Sequence, residues 1–264
     1  MVMTLLSNPK GSVATIIVAA DGSGDTTDIQ AGINMLPAAG GVVYIREGTY
    51  IITATITIPN SNISLIGAGR STIIEAGIAG LCMIRATGLT GIFIDKLFLF
   101  GDNSVNNFGI ELDSCFSCFI NNNWLDTMDI GIRLINACLA ISIFNNNLQG
   151  CLSYGIYING GSRNNLILNS LLNLPSEGIY LDSVSQSIII ANSSSNNTLN
   201  GINLVNSSNI IIEGNETHTN AQYGIIIDVF SDRNIVVGNI ALNNTMGQIN
   251  NLGTNIELAH NIIV

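Results

Sequence analysis

A glycine followed by an alternating apolar strand returns six times along this chain. The copies are Gly109-Ile-Glu-Leu-Asp113, Gly131-Ile-Arg-Leu-Ile135, Gly155-Ile-Tyr-Ile-Asn159, Gly178-Ile-Tyr-Leu-Asp182, Gly201-Ile-Asn-Leu-Val205 and Gly224-Ile-Ile-Ile-Asp228. The steps between these glycines are 22, 24, 23, 23 and 23 residues, and Gly247 follows 23 later with a degraded strand. A second series keeps the same step: Asn123, Asn146, Asn169, Asn192, Asn215, Asn239 and Asn261. A further apolar strand, such as Ile188-Ile-Ile190 or Ile235-Val-Val237, precedes each of those asparagines.

A repeat of this length is too short for a strand–helix–strand crossover with its own core, and it carries no helical periodicity. It holds two or three short strands separated by asparagine, serine and glycine turns. One such coil cannot bury its inner face, but stacked coils pair strand on strand and share a core. Equivalent residues then stand about 4.8 Å apart. The asparagines become a ladder whose amides satisfy turn groups that burial would orphan. The spacing therefore predicts an all-β, single-stranded, right-handed parallel β-helix with roughly 23 residues per coil and a short N-terminal capping helix. In that stack Cys115 and Cys138 become neighbours on adjacent coils, and Asn200 stands outside the ladder at an exposed position.

The composition agrees. The chain has 44 isoleucines and 36 asparagines among 264 residues, a strand former and a turn former. Charged residues make up only 10%, and the net charge is −10. That balance excludes nucleic acid as a partner, because nothing could neutralise a run of phosphates. It also disfavours unaided binding of a polyanionic sugar polymer. No apolar run reaches membrane-spanning length. Met1 to Leu6 lacks the basic segment and apolar stretch of a secretory signal, so none is expected. The five cysteines make no disulfide framework, and Cys115-x-x-Cys118 lacks a second pair or a histidine, so buried inert thiols are expected and no metal site.

One domain is expected over 1–264, with an N-terminal strand and helical cap in 1–48, irregular first coils in 49–108 and regular coils in 109–264. Thr27 and Asp28 are placed to cap a helix through Ile29, Ile33 and Leu36 that Pro37 stops. Such a helix would cover the open end of the solenoid, while Asn261-Ile-Ile-Val264 ends on an apolar strand without a cap. An open strand edge pairs readily with another chain. The segment Val13 to Val18 could add a strand to its own solenoid or to a neighbour's. A homo-oligomer is therefore expected, as a trimer if the rotation closes or as an end-to-end filament if it does not.

Residues 19–75 resemble the opening of the pectin lyase-like superfamily, in Ala20-Asp-Gly-Ser-Gly-Asp25, Asp28-Ile-Gln30, Gly40-Gly-Val-Val-Tyr-Ile45, Gly48-Thr-Tyr50, Ile56-Thr-Ile-Pro59 and Leu65-Ile-Gly-Ala-Gly69. That opening is shared by polygalacturonase-like enzymes, pectate lyase-like proteins and viral tail-spike β-helices. The resemblance implies the fold and a polysaccharide as partner, and it suggests a place outside the cell or on a cell or virion surface. It names no reaction. The Asn-Thr-Asp, Asp-Asp, Gly-His-Gly and Arg-Ile-Lys motifs of polygalacturonases are missing, and His218 and His260 read as surface turn residues. No cofactor is expected, with calcium entering only if the chain works as a lyase.

Alternation along the glycine-led strand points Ile110 and its equivalents inward. The outward rows are then Glu111, Arg133, Tyr157, Tyr180, Asn203 and Ile226, and Asp113, Ile135, Asn159, Asp182, Val205 and Asp228. Tyr154, Tyr157 and Tyr180 form an aromatic platform of the kind that packs on sugar rings, with Arg133 and Glu177 beside it as further substrate-binding candidates. Glu111 with Asp113, and Asp182 with Asp228, are the candidate catalytic carboxylates. Glu111 and Asp113, two apart on one strand, should stand about 6.5–7 Å apart, and Asp182 and Asp228, two coils apart, about 9.6 Å apart, near the inverting-glycosidase range of about 6.5–9.5 Å. Two readings stay open: a non-catalytic surface, spike or scaffold module that touches glycans, and a polysaccharide hydrolase or lyase.

Overall fold

The computed structural model describes residues 14–264. Val13 and the Met1 to Leu6 segment, on which the reading of a missing secretory signal rests, lie outside the described residues. Each coil contributes three strands to three parallel sheets, which hold 9, 11 and 10 strands among the described residues. The glycine-led strand, for example Glu177–Asp182, comes first. A second strand, Ile188–Ile190, and a third, Ser193–Ser195, complete that coil. Every pairing between coils is parallel and joins a strand to its own equivalent one coil away. The chain is an all-β solenoid.

The glycines have a steric cause. A Cβ on Gly109, Gly131, Gly155, Gly178 or Gly201 would stand 2.5–2.8 Å from the carbonyl oxygen of the next coil's glycine. No side chain fits there, so the series marks where backbone stacks on backbone. The residue before each glycine keeps its register between coils, as Tyr154 does with Glu177. The isoleucine after it is fully buried in every regular coil, as are Leu112, Leu134, Ile158, Leu181, Leu204 and Ile227 two places on. These residues form one continuous core along the solenoid.

The asparagine ladder runs down the two-residue turn between the second and third sheets. Asn123, Asn146, Asn169, Asn192 and Asn215 are all buried, and each passes its side-chain amide to the next. The residue before each rung is left-handed: Asn122, Asn145, Leu168, Ala191 and His260 have φ of 55°, 53°, 55°, 54° and 53°. Asparagine tolerates that conformation and leucine or alanine less so. The repeat holds them there.

Helix α1 (Ile29–Asn34) is capped by Asp28, whose Oδ1 accepts from the Ala31 amide at 2.6 Å. It buries Ile29 and Ile33 against the first coils. The strand Thr15–Val18 pairs with Gly41–Ile45 of its own solenoid. All five cysteines are buried and unpaired, and the Cys115 amide donates to Cys138 Sγ at 3.4 Å, the expected step between coils. Two sequence expectations need correction. Asn200 is 3% exposed, because its short side chain lies against the Glu177 carboxylate of the preceding coil and bonds it at 3.1 Å. His218 ends a strand, Glu216–His218, and only His260 lies in a turn.

Candidate functional site

The outer face of the glycine-led sheet carries one column of side chains in unbroken register. Thr57, Arg85, Glu111, Arg133, Tyr157, Tyr180, Asn203, Ile226 and Asn250 follow one another, one per coil. At its N-terminal end Glu111 is clamped between two guanidiniums. Its Oε1 accepts from Arg85 Nε at 2.6 Å and its Oε2 pairs with Arg133 Nη1. Although it belongs to the outward row, Glu111 is 3% exposed, because the two long cationic stems close over it. The Arg133 guanidinium also lies 4.6 Å from the Phe108 ring centroid, a cation–π contact.

Arg85 escaped the sequence reading. Its strand, Cys82–Thr87, lacks the marker: Met83 stands where the next coil has Gly109. The signal that could have found it is the alternation Ile84-Arg-Ala86, which matches Ile110-Glu-Leu112 one coil on.

In the middle of the column the three tyrosines come together. Tyr157 and Tyr180 are stacked, with centroids 5.7 Å apart and planes 6° from parallel. The Tyr154 ring stands 5.0 Å from each. No protein group among the described residues bonds the hydroxyl of Tyr154, Tyr157 or Tyr180. Burial, and after it the Asp182 carboxylate, pushes Tyr180 up to about 12; burial and then Glu177 raise Tyr154 as well. Both hydroxyls therefore stay protonated at neutral pH and can donate as well as accept.

Glu177 pairs in register with Tyr154 and is 5% exposed. It accepts from the Asn200 amide at 3.1 Å, from Asn200 Nδ2 at 3.1 Å and from Asn203 Nδ2 at 3.0 Å. Burial raises its pKa, and those three donors act in the opposite direction. Asn200 in turn accepts from the Tyr223 amide at 2.9 Å, carrying the chain of bonds to the next coil.

The remaining candidates are held by turn groups. Asp113 accepts from Ser114 Oγ at 2.8 Å and Asn136 Nδ2 at 2.9 Å. Asp182 accepts from Ser183 Oγ at 2.8 Å and Asn159 Nδ2 at 3.1 Å. Asp228, just beyond its strand, accepts from the Asn206 amide at 3.0 Å and Ser231 Oγ at 2.6 Å. The structure thus gathers Arg133, Tyr154, Tyr157, Glu177 and Tyr180 into one patch, adds Arg85 and the buried Glu111 at its end, and leaves Asp113 and Asp228 at coil corners. Among the described residues no group of three or more His, Cys, Asp or Glu could hold a metal ion.

A family model described as "Right handed beta helix region" matches residues 108–263. The chain belongs to the right-handed β-helix family. The first coils and cap, upstream of that match, resemble the pectin lyase-like opening in residues 19–75. Among curated proteins it is 30% identical over 100 residues to "Probable pectinesterase 56" of Arabidopsis thaliana, a match covering 35% of either chain. The chain thus spans about a third of the curated relative it matches. Among solved structures, the ORF18 protein of Geobacillus virus E2 superposes with a TM-score of 0.64 at 18% identity, over 93% of this chain and 60% of that one. A periplasmic alginate epimerase, AlgG, superposes with a TM-score of 0.63 at 18% identity, over 93% of this chain and 68% of that one. At such identities these likenesses speak for the β-helix fold. No helix among the described residues is long and apolar enough to cross a membrane.

Proposed function

We propose that this β-helix is a surface, spike or scaffold module that binds glycan chains along its glycine-led sheet without cleaving them. The observation that carries the reading is the tyrosine cluster: three rings within 5.7 Å of one another, none of whose hydroxyls is claimed by the protein. Aromatic groups with one apolar body and one polar tip suit a sugar, whose ring has apolar C–H faces and a polar rim. Arg133 and Asn203 flank the tyrosines in register and extend the donor set. The column rises about 4.8 Å per coil, so an extended chain laid along the solenoid would meet several of these groups. The tied carboxylates support a binding role, since Glu111 already serves two arginines. The carbohydrate-related names of the pectinesterase and the epimerase fit a polysaccharide partner and a site outside the cell or on a surface.

One observation favours the enzyme reading: Glu177 is a buried carboxyl with a raised pKa beside the tyrosines, the setting of a general acid. A panel of plant, algal and bacterial polysaccharides separates the readings. Binding that weakens in Tyr157→Ala and Tyr180→Ala, with no new reducing ends or unsaturated products, is expected. Product release lost in Glu177→Gln would replace the binding module by an enzyme.

The same reading includes self-association. The second sheet turns Ile188, Ile211 and Ile235 outward in one register column, half-buried or exposed, beside Ile167 and Ile190 of the neighbouring column, with Glu213 and Glu257 at the edge of the patch. In a chain of net charge −10, such an apolar face is where two copies can approach with least repulsion. Light scattering at micromolar concentration is expected to show an oligomer that Ile211→Lys dissociates. A parent monomer would remove the idea.

A further inference from the structure

The column of tyrosines leaves unexplained a second place where the chain concentrates recognition chemistry, on the opposite edge of the coil. The turn between the strands Ile63–Gly67 and Thr72–Ala76 has four residues, Ala68 to Ser71, where the later coils use two, such as Asn122 and Asn123. The longer turn is tied down by three hydrogen bonds. The Ala68 amide donates to Thr72 Oγ1 at 2.8 Å, Ser71 Oγ donates to the Ala68 carbonyl at 3.2 Å, and the Gly69 amide donates to the Lys96 carbonyl of the next coil at 2.9 Å. It carries Arg70 out over two coils. The guanidinium comes to rest 3.9 Å from the ring centroid of Trp124, the one tryptophan of the chain, and 5.7 Å from that of Phe98.

Three features point to a ligand there. Arg70, like Arg46 and Arg163 among the described residues, has no carboxylate in ion-pair reach, and it alone of these three lies over aromatic rings. The side-chain amide of Asn147 bonds no protein group. A cavity of about 250 Å³ opens beside them, lined by Arg70, Leu97, Asn122, Trp124, Asn145 and Asn147. Asp95, whose partner Asn122 lines the cavity, accepts from Asn122 Nδ2 at 2.6 Å and faces Lys96 at 3.9 Å. The exposed Arg70 guanidinium and the free Asn147 amide offer donors to an anionic, hydroxylated ligand in this cavity. The cavity lies below the roughly 300–1,000 Å³ of drug-sized sites, a volume suited to a single sugar ring.

We propose that the Arg70–Trp124 corner binds a hexose carrying an oxyanion, carboxylate or sulfate. The anion sits on Arg70, the sugar ring lies against the remaining indole surface, and the Asn145 and Asn147 amides take ring hydroxyls. This site is independent of the tyrosine face and stands or falls separately from it.

The single tryptophan makes the test direct, because all indole fluorescence reports on this corner. Glucuronate, glucose 6-sulfate, glucose and inorganic sulfate are titrated against the full chain. Saturable change with one or both anionic sugars, at least about tenfold weaker with glucose and with sulfate alone, is expected; which anionic sugar binds tells carboxylate from sulfate. Arg70→Gln should weaken binding about tenfold or more, the factor that the loss of one charge-assisted bond brings. The Tyr157→Ala/Tyr180→Ala double variant should titrate like the parent. Arg70→Lys, which keeps the charge but not the planar stack, provides a second reading if the glutamine variant melts early. No saturable signal, equal response to sulfate alone, or an unchanged titration in both Arg70 variants would overturn the site.

Discussion

Asn169 and Asn192, 23 residues apart in the chain, meet in a two-pronged bond: Asn192 Oδ1 accepts Asn169 Nδ2 at 3.0 Å and the Asn169 amide at 2.9 Å. Asn192 itself donates to the Leu166 carbonyl at 2.9 Å and onward to Asn215 at 3.0 Å. Each rung thus closes four polar groups that no water reaches. Replacing Asn192 with alanine strands several of them at about 1–3 kcal/mol each. Asn192→Ala is expected to cost roughly 3 kcal/mol or more in denaturant melts. Asn165→Ala, whose side chain bonds nothing, should stay within about 0.5 kcal/mol of the parent. Asn200→Ala belongs with the costly variants, since it would leave Glu177 and the Tyr223 amide short of partners. Equal stability of the Asn165 and Asn192 variants would end the ladder argument.

Glu111 holds Arg85 and Arg133 together although the arginine side chains are 43% and 27% exposed. Removing the carboxylate leaves two like charges facing each other over a buried pocket. Breaking a buried pair costs about 3–5 kcal/mol, and solvent around the arginines reduces this, so Glu111→Ala is expected to lose about 1–3 kcal/mol. The loss should shrink when Arg85 is also replaced by alanine. A double-mutant cycle with no coupling between the two sites would show that the clamp is idle.

Glu177 ties stability to pH. Its folded pKa lies above the ordinary glutamate value because it is buried, so in the window between the two values the folded chain holds more protons than the unfolded one. The sign follows: this group's contribution is fully present below the ordinary glutamate value and is lost as pH rises through the raised folded pKa. Melting temperatures of the parent and Glu177→Gln, compared between acid and neutral pH, should show this fall in the parent alone. Parallel curves would contradict the burial of a titrating carboxyl.

Leu168 sits half exposed with φ of 55°, at the position where the two preceding coils have Asn122 and Asn145. Those two already form an outer ladder, Asn145 Nδ2 donating to Asn122 Oδ1 at 2.8 Å. Leu168→Asn relieves left-handed strain of about 1 kcal/mol and offers a further rung. The variant is expected to melt a few degrees higher than the parent. A lower melting temperature would mean that the leucine packs against something worth more than the strain.

The repeat was legible because a solenoid writes its period into the chain. The glycines, the buried isoleucines and the asparagine rungs recur at one step, since each must meet its own copy on the next coil. For the same reason the outward column of Arg133, Tyr157 and Tyr180 could be read from alternation alone, and the structure places those residues in register. The sequence by itself therefore determined the architecture, the core and which side chains share a face. It did not determine what those side chains do to one another. That Glu111 is buried follows from two arginine stems folding over it, one of them from a coil where Met83 replaces the marker glycine. That Asn200 is buried follows from its bonds to the Glu177 carboxylate of the preceding coil. That Arg70 reaches Trp124 follows from one longer turn crossing two coils. Periodicity fixes position along and around the solenoid, but the reach of long side chains and of irregular turns is a matter of three-dimensional contact, and only the tertiary structure decided it.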